Sequence, residues 1–223
     1  MTRTDPFRRT ALVIMARYPA VGEVKTRLAR AVGAERACTL YGAFLRDLEA
    51  RFVGQRRTLV WAYFPLERDF AALVAPGARC LPQTGRDLGE RMHHCFQQLI
   101  ADGFERVLMI GADAPHVRDE WLDEADTALD DVDVVLGPSD DGGYYLIAMK
   151  AAHDVFTGIA MSTPRVFAAT VAKAEHSGLR VHVLPSTFDV DEEADVVRLR
   201  ELLARDEYTR MLPATAAVLK SWS

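Results

Sequence analysis

The 223-residue sequence has three cysteines, Cys38, Cys80 and Cys95, and no C-x-x-C pair. An odd, scattered set excludes a disulfide framework and supplies no thiolate zinc site; it fits a reducing cytosol. Long apolar runs are missing too, since no stretch approaches the ~18 residues of a membrane span. The apolar run after Arg8 and Arg9 stops at Arg17 and Pro19, too short for an export signal. Basic charge is not in excess: 27 Lys and Arg against 32 Asp and Glu give a formal charge of −5, which argues against a nucleic-acid binder. Two phosphate-loop signatures are absent as well. Glu23 and Val24 separate Gly22 from Lys25, so there is no Walker A loop, and no G-x-G-x-x-G follows a strand.

What is present is an ordinary soluble composition, 49% apolar and 26% charged, in a length suited to a single α/β domain over 1–223. The chain is organised around Thr10 to Arg30. Ala11 to Ala16 is apolar and partly β-branched, the right length for a strand buried on both faces. A bend containing Pro19 and Gly22 follows, then a cluster of cations, Arg17, Lys25, Arg27 and Arg30, set against Glu23. The pattern from Pro19 to Leu28 is P-x-x-G-x-V-K-T-R-L, with Thr26 between the two central cations. A strand ending in a basic loop ahead of a helix is a place to hold phosphates, because backbone N–H groups and cations converge there. A solvated basic loop is the plain alternative. In an extended loop Lys25 and Arg27 leave from the same side and can grip one polyphosphate.

Hydrophobic spacing predicts a helix over 34–52, strands over 58–64 and 79–81, and a helix capped by Asp87 and ended by Gly103. His93 and His94 lie on that helix as sequential neighbours that do not face one another, which makes them packing or surface residues rather than metal ligands. Val107 to Ile110 is an all-apolar strand that runs into Gly111-Ala112-Asp113-Ala114-Pro115, and ligand crevices in open α/β sheets lie off such strand ends. A helix over 119–129 and a strand over 132–136 precede Ser139-Asp140-Asp141-Gly142-Gly143, whose paired glycines permit positive φ or close approach to a ligand. Tyr144 to Met149 resumes as a strand. Ser162-Thr163-Pro164 reads as a helix start with a hydroxyl cap and Pro at the first helical position, the helix ending near Gly178. Arg180 to Leu184 is a strand, a helix with Val196, Leu199, Leu202 and Leu203 inward follows, and the tail forms one more short helix.

Asp113, Asp189 and Asp191 stand at strand ends, and Asp189 and Asp191 point the same way in an extended segment. Hard carboxylate oxygens suit Mg²⁺ or Mn²⁺, which commonly bind a few carboxylates plus substrate phosphates. With Lys25 and Arg27, such an ion would stabilise a departing diphosphate or pyrophosphate. Helix capping is the alternative role for Asp189 or Asp191, and a turn or cap for Asp113. Gln83 and Gly85 are candidates to read a nucleobase, by amide hydrogen bonds and close backbone approach. Asp141, Gly142, Gly143 and Tyr144 are candidates for the acceptor or sugar side, a glycine-rich turn being the alternative.

Four motifs in order resemble one family. They are Ala16-Arg17-Tyr18-Pro19 with Gly22 and Val24-Lys25-Thr26-Arg27-Leu28; Gln83-Thr84-Gly85-Arg86-Asp87-Leu88-Gly89-Glu90-Arg91-Met92; Gly111-Ala112-Asp113-Ala114-Pro115; and Gly137-Pro138 with Asp141-Gly142-Gly143-Tyr144-Tyr145. The chain is similar over almost its whole length to the small bacterial GT-A-like proteins of the nucleotide-diphospho-sugar transferase superfamily, the DUF2064 or radical-SAM/selenodomain-associated transferase 1 family. The resemblance implies an α/β, Rossmann-like GT-A fold with a mixed, mainly parallel central sheet and helices on both faces. It implies a transferase that uses a nucleotide-activated substrate and a small-molecule acceptor; the candidate nucleotide-binding residues are Arg17, Gly22, Lys25, Thr26, Arg27, Gln83 and Gly85, and the cysteines make a cytoplasmic location the expectation. Glycosyl transfer from a nucleotide sugar is the first reading. GT-A glycosyltransferases carry D-x-D at the metal, however, and here Gly111 stands where the first Asp would be. The Val24-Lys25-Thr26-Arg27-Leu28 stretch and Asp189-x-Asp191 also resemble guanylyltransferases of the phospholactate type, which consume a nucleoside triphosphate. A non-catalytic nucleotide-binding module is the third reading.

Overall fold

The computed structural model describes residues 9–222, so Arg8 of the Arg8–Arg9 pair and both ends of the expected 1–223 domain lie outside the described residues. In chain order the elements are β1 (Thr10–Arg17), α1 (Thr26–Val32), α2 (Ala34–Phe52), β2 (Thr58–Phe64), a 3₁₀ turn (Phe70–Leu73), β3 (Arg79–Pro82) and α3 (Leu88–Ala101). They continue as β4 (Arg106–Gly111), α4 (Asp119–Ala128), β5 (Val134–Pro138), β6 (Tyr144–Met149), α5 (Val166–His176), β7 (Val181–Val183), α6 (Glu193–Leu203), α7 (Asp206–Met211) and α8 (Pro213–Lys220). The seven strands form one sheet in the order β3-β2-β1-β4-β6-β5-β7. β6 runs antiparallel to both of its neighbours, and every other pairing is parallel. The sheet is therefore mixed and mainly parallel, as expected.

β1 shows why the sheet is covered on both faces. Leu12, Ile14 and Ala16 point into one core with α1, α2, α4, α6 and α8, whereas Ala11 and Val13 point into a second core with α3 and α5. Side chains alternate along a strand, so a continuous apolar run means a helical layer on each side. Away from the cleft the layers are tied by buried polar groups. Asp126 on α4 is 1% exposed and accepts from Arg57 Nε at 2.7 Å and from the Thr10 hydroxyl at 3.2 Å. Asp47 on α2, also 1% exposed, accepts from the backbone N–H groups of Ala214 and Thr215, both at 2.8 Å, and so caps α8 across 167 positions of sequence.

Three local expectations are corrected. Residues 26–32, expected as basic loop, form α1. The helix expected to start at Ser162-Thr163-Pro164 begins at Val166. Ser162 has φ 62°, and the Thr163 hydroxyl donates to the Ala160 carbonyl instead of capping, so these residues make a turn before the helix. The tail forms two short helices, because Leu212 lies outside helical geometry between α7 and Pro213, the first residue of α8.

Candidate active site

β2 and β3 extend the sheet on one side of β1, and β4 lies on the other. The loops that leave the carboxyl ends of β1 and β4 diverge, and a crevice opens between them. The loop after β1 carries Lys25. This residue is in left-handed backbone geometry, φ 49° and ψ 44°, immediately before α1. The turn swings its side chain inward, where it is 3% exposed, while Arg27 in the first turn of α1 is 59% exposed. The extended loop with two cations on one side is thus corrected: Lys25 is a buried anchor and Arg27 is an outward arm.

The Lys25 ammonium donates to Asp191 Oδ1 at 2.9 Å and forms an ion pair with Asp113. The rings of Tyr41 and Phe44 lie 5.9 Å from it. Burial works against the Lys25 charge, but Asp113 and Asp191 outweigh it and raise its pKa. Asp189 and Asp191 flank the fully buried Val190, whose N–H donates to the Asp113 carbonyl at 2.9 Å and stitches the two acidic segments together. Asp189 accepts from the Ser139 hydroxyl at 2.9 Å. Neither Asp189 nor Asp191 caps α6: Asp195 Oδ2 takes the N–H groups of Asp191 and Glu192. Burial first, and then the neighbouring Asp113 charge, pushes the Asp189 carboxyl up to about 7.

Among the described residues no set of three or more His, Cys, Asp or Glu side chains is arranged as a ready metal cage. Lys25 holds two of the carboxylates instead. The donor chemistry nevertheless fits a hard divalent cation. Asp113, Asp189 and Asp191 outnumber the two cations paired with them, Lys25 and Arg27, and their oxygens are hard donors.

The carboxylates line a cleft of about 640 Å³, within the usual range for small-molecule sites. Arg17 and Arg91 reach it from the other side, their guanidinium carbons 5.6 Å and 3.9 Å from the centre of the Phe64 ring. Arg91 lies on α3 and was not singled out from the sequence. The cleft therefore has a cationic wall at the ends of β1 and β2 and an anionic one after β4 and β7.

Other expected site residues take different roles. Gln83 lines the cleft but is 5% exposed, and its amide donates to the Ala62 carbonyl at 2.7 Å and the Ala16 carbonyl at 3.3 Å. Those donors tie β1 to β2 and are not free to read a base. Gly85 has φ 142°, and a Cβ there would stand 2.8 Å from the Arg91 nitrogen, so packing under α3 explains the glycine. Gly22 has φ 80° with open space around it, a turn requirement. Thr26 opens α1 beside the Lys25 end of the crevice. Gly142, at φ 87°, lies where a Cβ would collide with the Pro164 carbonyl, and its own carbonyl accepts from Phe167 N–H at 2.9 Å. It packs the turn against the start of α5, whereas Asp141, Gly143 and Tyr144 line the cleft. Tyr144 turns its hydroxyl into the protein beside Thr170, burial raising its pKa, so the phenol is not offered to a substrate. His93 lies 6.0 Å from Phe156 and His94 is bonded to the Thr84 carbonyl, as packing and surface residues.

Two supports behind the site had no local sequence signal. Arg51 of α2 donates to the carbonyls of Pro115 and Val117 and to Asp119, pinning the loop that carries Asp113. His116 is 2% exposed, bonds the Thr187 hydroxyl at 3.0 Å and packs 4.3 Å from Phe188. It joins the same loop to the segment that carries Asp189 and Asp191.

The mixed, mainly parallel sheet with helices on both faces is the expected α/β, Rossmann-like GT-A fold. The chain belongs to the bacterial family described as "uncharacterized protein conserved in bacteria (DUF2064)", whose sequence pattern matches residues 48–163. A crystal structure of a protein from Desulfovibrio desulfuricans G20, provisionally named a nucleotide-diphospho-sugar transferase, is 32% identical, with a TM-score of 0.86 over 96% of this chain and 98% of that one. More distant likenesses show the fold alone. A nucleotidyl transfer protein from Methanothermobacter is 15% identical with a TM-score of 0.59, covering 88% of this chain and 98% of that one. The 4-diphosphocytidyl-2C-methyl-D-erythritol synthase of Anaerococcus prevotii is 11% identical with a TM-score of 0.58, covering 89% and 100%. No curated protein matches the chain.

Proposed function

We propose that the protein is a cytoplasmic transferase that takes a group from a nucleotide-activated donor to a small acceptor, with Mg²⁺ or Mn²⁺ on Asp113, Asp189 and Asp191. The observation that carries this reading is the convergence of three carboxylates and Lys25 on one crevice whose far wall holds Arg17 and Arg91. A nucleotide phosphate chain needs cations, and opposed charged walls orient it along one line. When bound, the divalent ion would supply Lewis-acid stabilisation of the departing phosphate oxygen. Lys25 fixes the carboxylates and presents a positive charge beside them. Arg27, exposed and 3.8 Å from Asp191, is free to swing onto phosphate.

Glycosyl transfer is the first form of this reading, and the name of the Desulfovibrio relative supports it. In that reaction the acceptor oxygen bonds to the anomeric carbon, the bond from that carbon to the phosphate oxygen breaks, nucleoside diphosphate leaves with the electron pair, and the acceptor proton passes to solvent. One observation favours nucleotidyl transfer as the second form. Gly111 replaces the first Asp of D-x-D, and the missing carboxylate is compensated by two from the segment after β7. There an acceptor phosphate attacks the α-phosphorus of a triphosphate and pyrophosphate leaves.

The test is product release without an added acceptor, water standing in for it. With Mn²⁺, at least one nucleotide sugar is expected to yield nucleoside diphosphate slowly while triphosphates yield little pyrophosphate. The reverse pattern moves the assignment to nucleotidyl transfer. Metal-dependent nucleotide binding with no turnover of either donor returns the non-catalytic module.

A further inference from the structure

We propose that the acceptor subsite is a methionine-lined apolar recess, and that the acceptor is an alcohol with an aliphatic or aryl body rather than a polyol. This rests on the reading of the cleft as a transfer site and names what that site accepts. Of the seven methionines in the sequence, Met15, Met92, Met109 and Met161 line this cleft, with Ile147 and Val166 beside them. Met15 on β1, Met109 on β4 and Ile147 on β6 belong to the sheet face that packs on α3 and α5. Met109 pairs with Ile147, and Met15 pairs with Gly111, so these positions lie side by side at the carboxyl end of the sheet.

Gly111 is what keeps the recess open. It follows Met109 by two positions and so shares its face, but it presents no side chain. A Cβ there would find its nearest neighbour 3.9 Å away, so no packing demand of the protein explains the glycine. Beside the methionines, Ser162 excepted, the hydroxyl and carboxylate groups are turned away or engaged. The Tyr144 hydroxyl is buried beside Thr170, the Thr163 hydroxyl is given to the Ala160 carbonyl, and the Asp141 carboxylate accepts from Gly143 N–H. A polyol needs several convergent hydrogen-bonding groups, whereas thioether side chains adapt to apolar bodies of varied shape. The recess and the carboxylates share one cleft, so an alcohol whose body is held by the methionines brings its hydroxyl toward the donor.

The test uses the full chain labelled with ¹³C at the methionine methyls, titrated with ethanol, 1-butanol and 1-hexanol and, separately, with glycerol and glucose. The methyls of Met15, Met92 and Met161 are expected to shift saturably with the alkanols, those of Met149 and Met211 to stay still, and affinity to rise by about fourfold per buried methylene. Met161→Gln is expected to lower 1-hexanol affinity several-fold while leaving the nucleotide-induced thermal shift unchanged. Absence of a saturable shift, an equal response to glycerol or glucose, or unchanged 1-hexanol affinity in Met161→Gln would overturn the proposal. A protein that bound alkanols here but no nucleotide would keep the recess and lose the transferase reading, so the two failures are distinguishable.

Discussion

Lys25 and Arg27 are two positions apart and have different consequences, because a left-handed turn at Lys25 buries one cation and leaves the other in solvent. Removing a buried charge strands its partners, whereas an exposed pair is worth little. Lys25→Met is therefore expected to lower the melting temperature in EDTA, with part of the loss regained on adding Mn²⁺. Arg27→Met is expected to keep its melting temperature and to weaken nucleotide binding by roughly tenfold, one charge-assisted hydrogen bond. Equal melting curves for the two variants in EDTA would contradict the buried-anchor role. His116 gives a second test at this scale. Burial, with Arg198 and Arg51 adding to it, pushes its pKa down to about 3 from an ordinary value of 6.5. The folded state thus refuses a proton that the unfolded chain accepts. This contribution to stability is complete above pH 6.5 and is lost as the pH falls toward 3. His116→Gln is expected to flatten the stability profile between pH 6.5 and 4, and denaturant midpoints across that range check it. A profile as steep as the parent's would show that the acid limb arises elsewhere.

At the level of elements, most strands and long helices were legible because their cause is local. α2 spans Ala34–Phe52, the range its apolar spacing marks, and Asp87 caps α3 as its position before the helix suggests. What sequence spacing could not show were groups whose role is set by distant partners. Lys25, left-handed just before α1, is paired with carboxylates nearly ninety and more than a hundred and sixty positions away, which no local pattern announces. The paired glycines looked like a ligand turn, yet Gly142 serves packing on Pro164 while its neighbour Gly143 lines the cleft. Gln83, a candidate base reader, lines the cleft, but its amide N–H groups join two strands. Asp47 belongs to this class, since nothing near it indicates that it caps α8. Asp47→Ala leaves two N–H groups without their acceptor and is expected to cost about 2–3 kcal/mol in chemical denaturation. A loss under half a kilocalorie per mole would mean that α8 does not need this cap.

For the whole molecule, the buried Arg57–Asp126 network and the candidate site sit at opposite ends of the sheet. The Arg57–Asp126 network lies by Thr10 and Arg106 at the amino ends of β1 and β4, and the carboxylates lie beyond the carboxyl ends of the same strands. Asp126→Ala removes a buried acceptor from Arg57, which keeps Asp123 and the Leu122 carbonyl, and from the Thr10 hydroxyl; it is expected to cost about 2–3 kcal/mol of stability while leaving nucleotide affinity unchanged in the protein that remains folded. Asp113→Asn takes one of two partners from the buried Lys25, which keeps Asp191, so it shifts the baseline melting temperature as well as lowering nucleotide affinity, and its ligand-induced shift is read against its own baseline. A ligand that binds the folded state alone raises its stability in proportion to RT ln(1 + [L]/Kd), so melting temperature reads binding before any reaction is known. The most direct measurement is therefore the melting temperature of the parent protein and of Asp113→Asn across a panel of nucleoside di- and triphosphates and nucleotide sugars, each with and without Mn²⁺. A rise of several degrees for at least one nucleotide, dependent on Mn²⁺ in the parent and abolished in Asp113→Asn, is the expected result. No rise with any nucleotide, or a rise indifferent both to Mn²⁺ and to Asp113, would contradict the account.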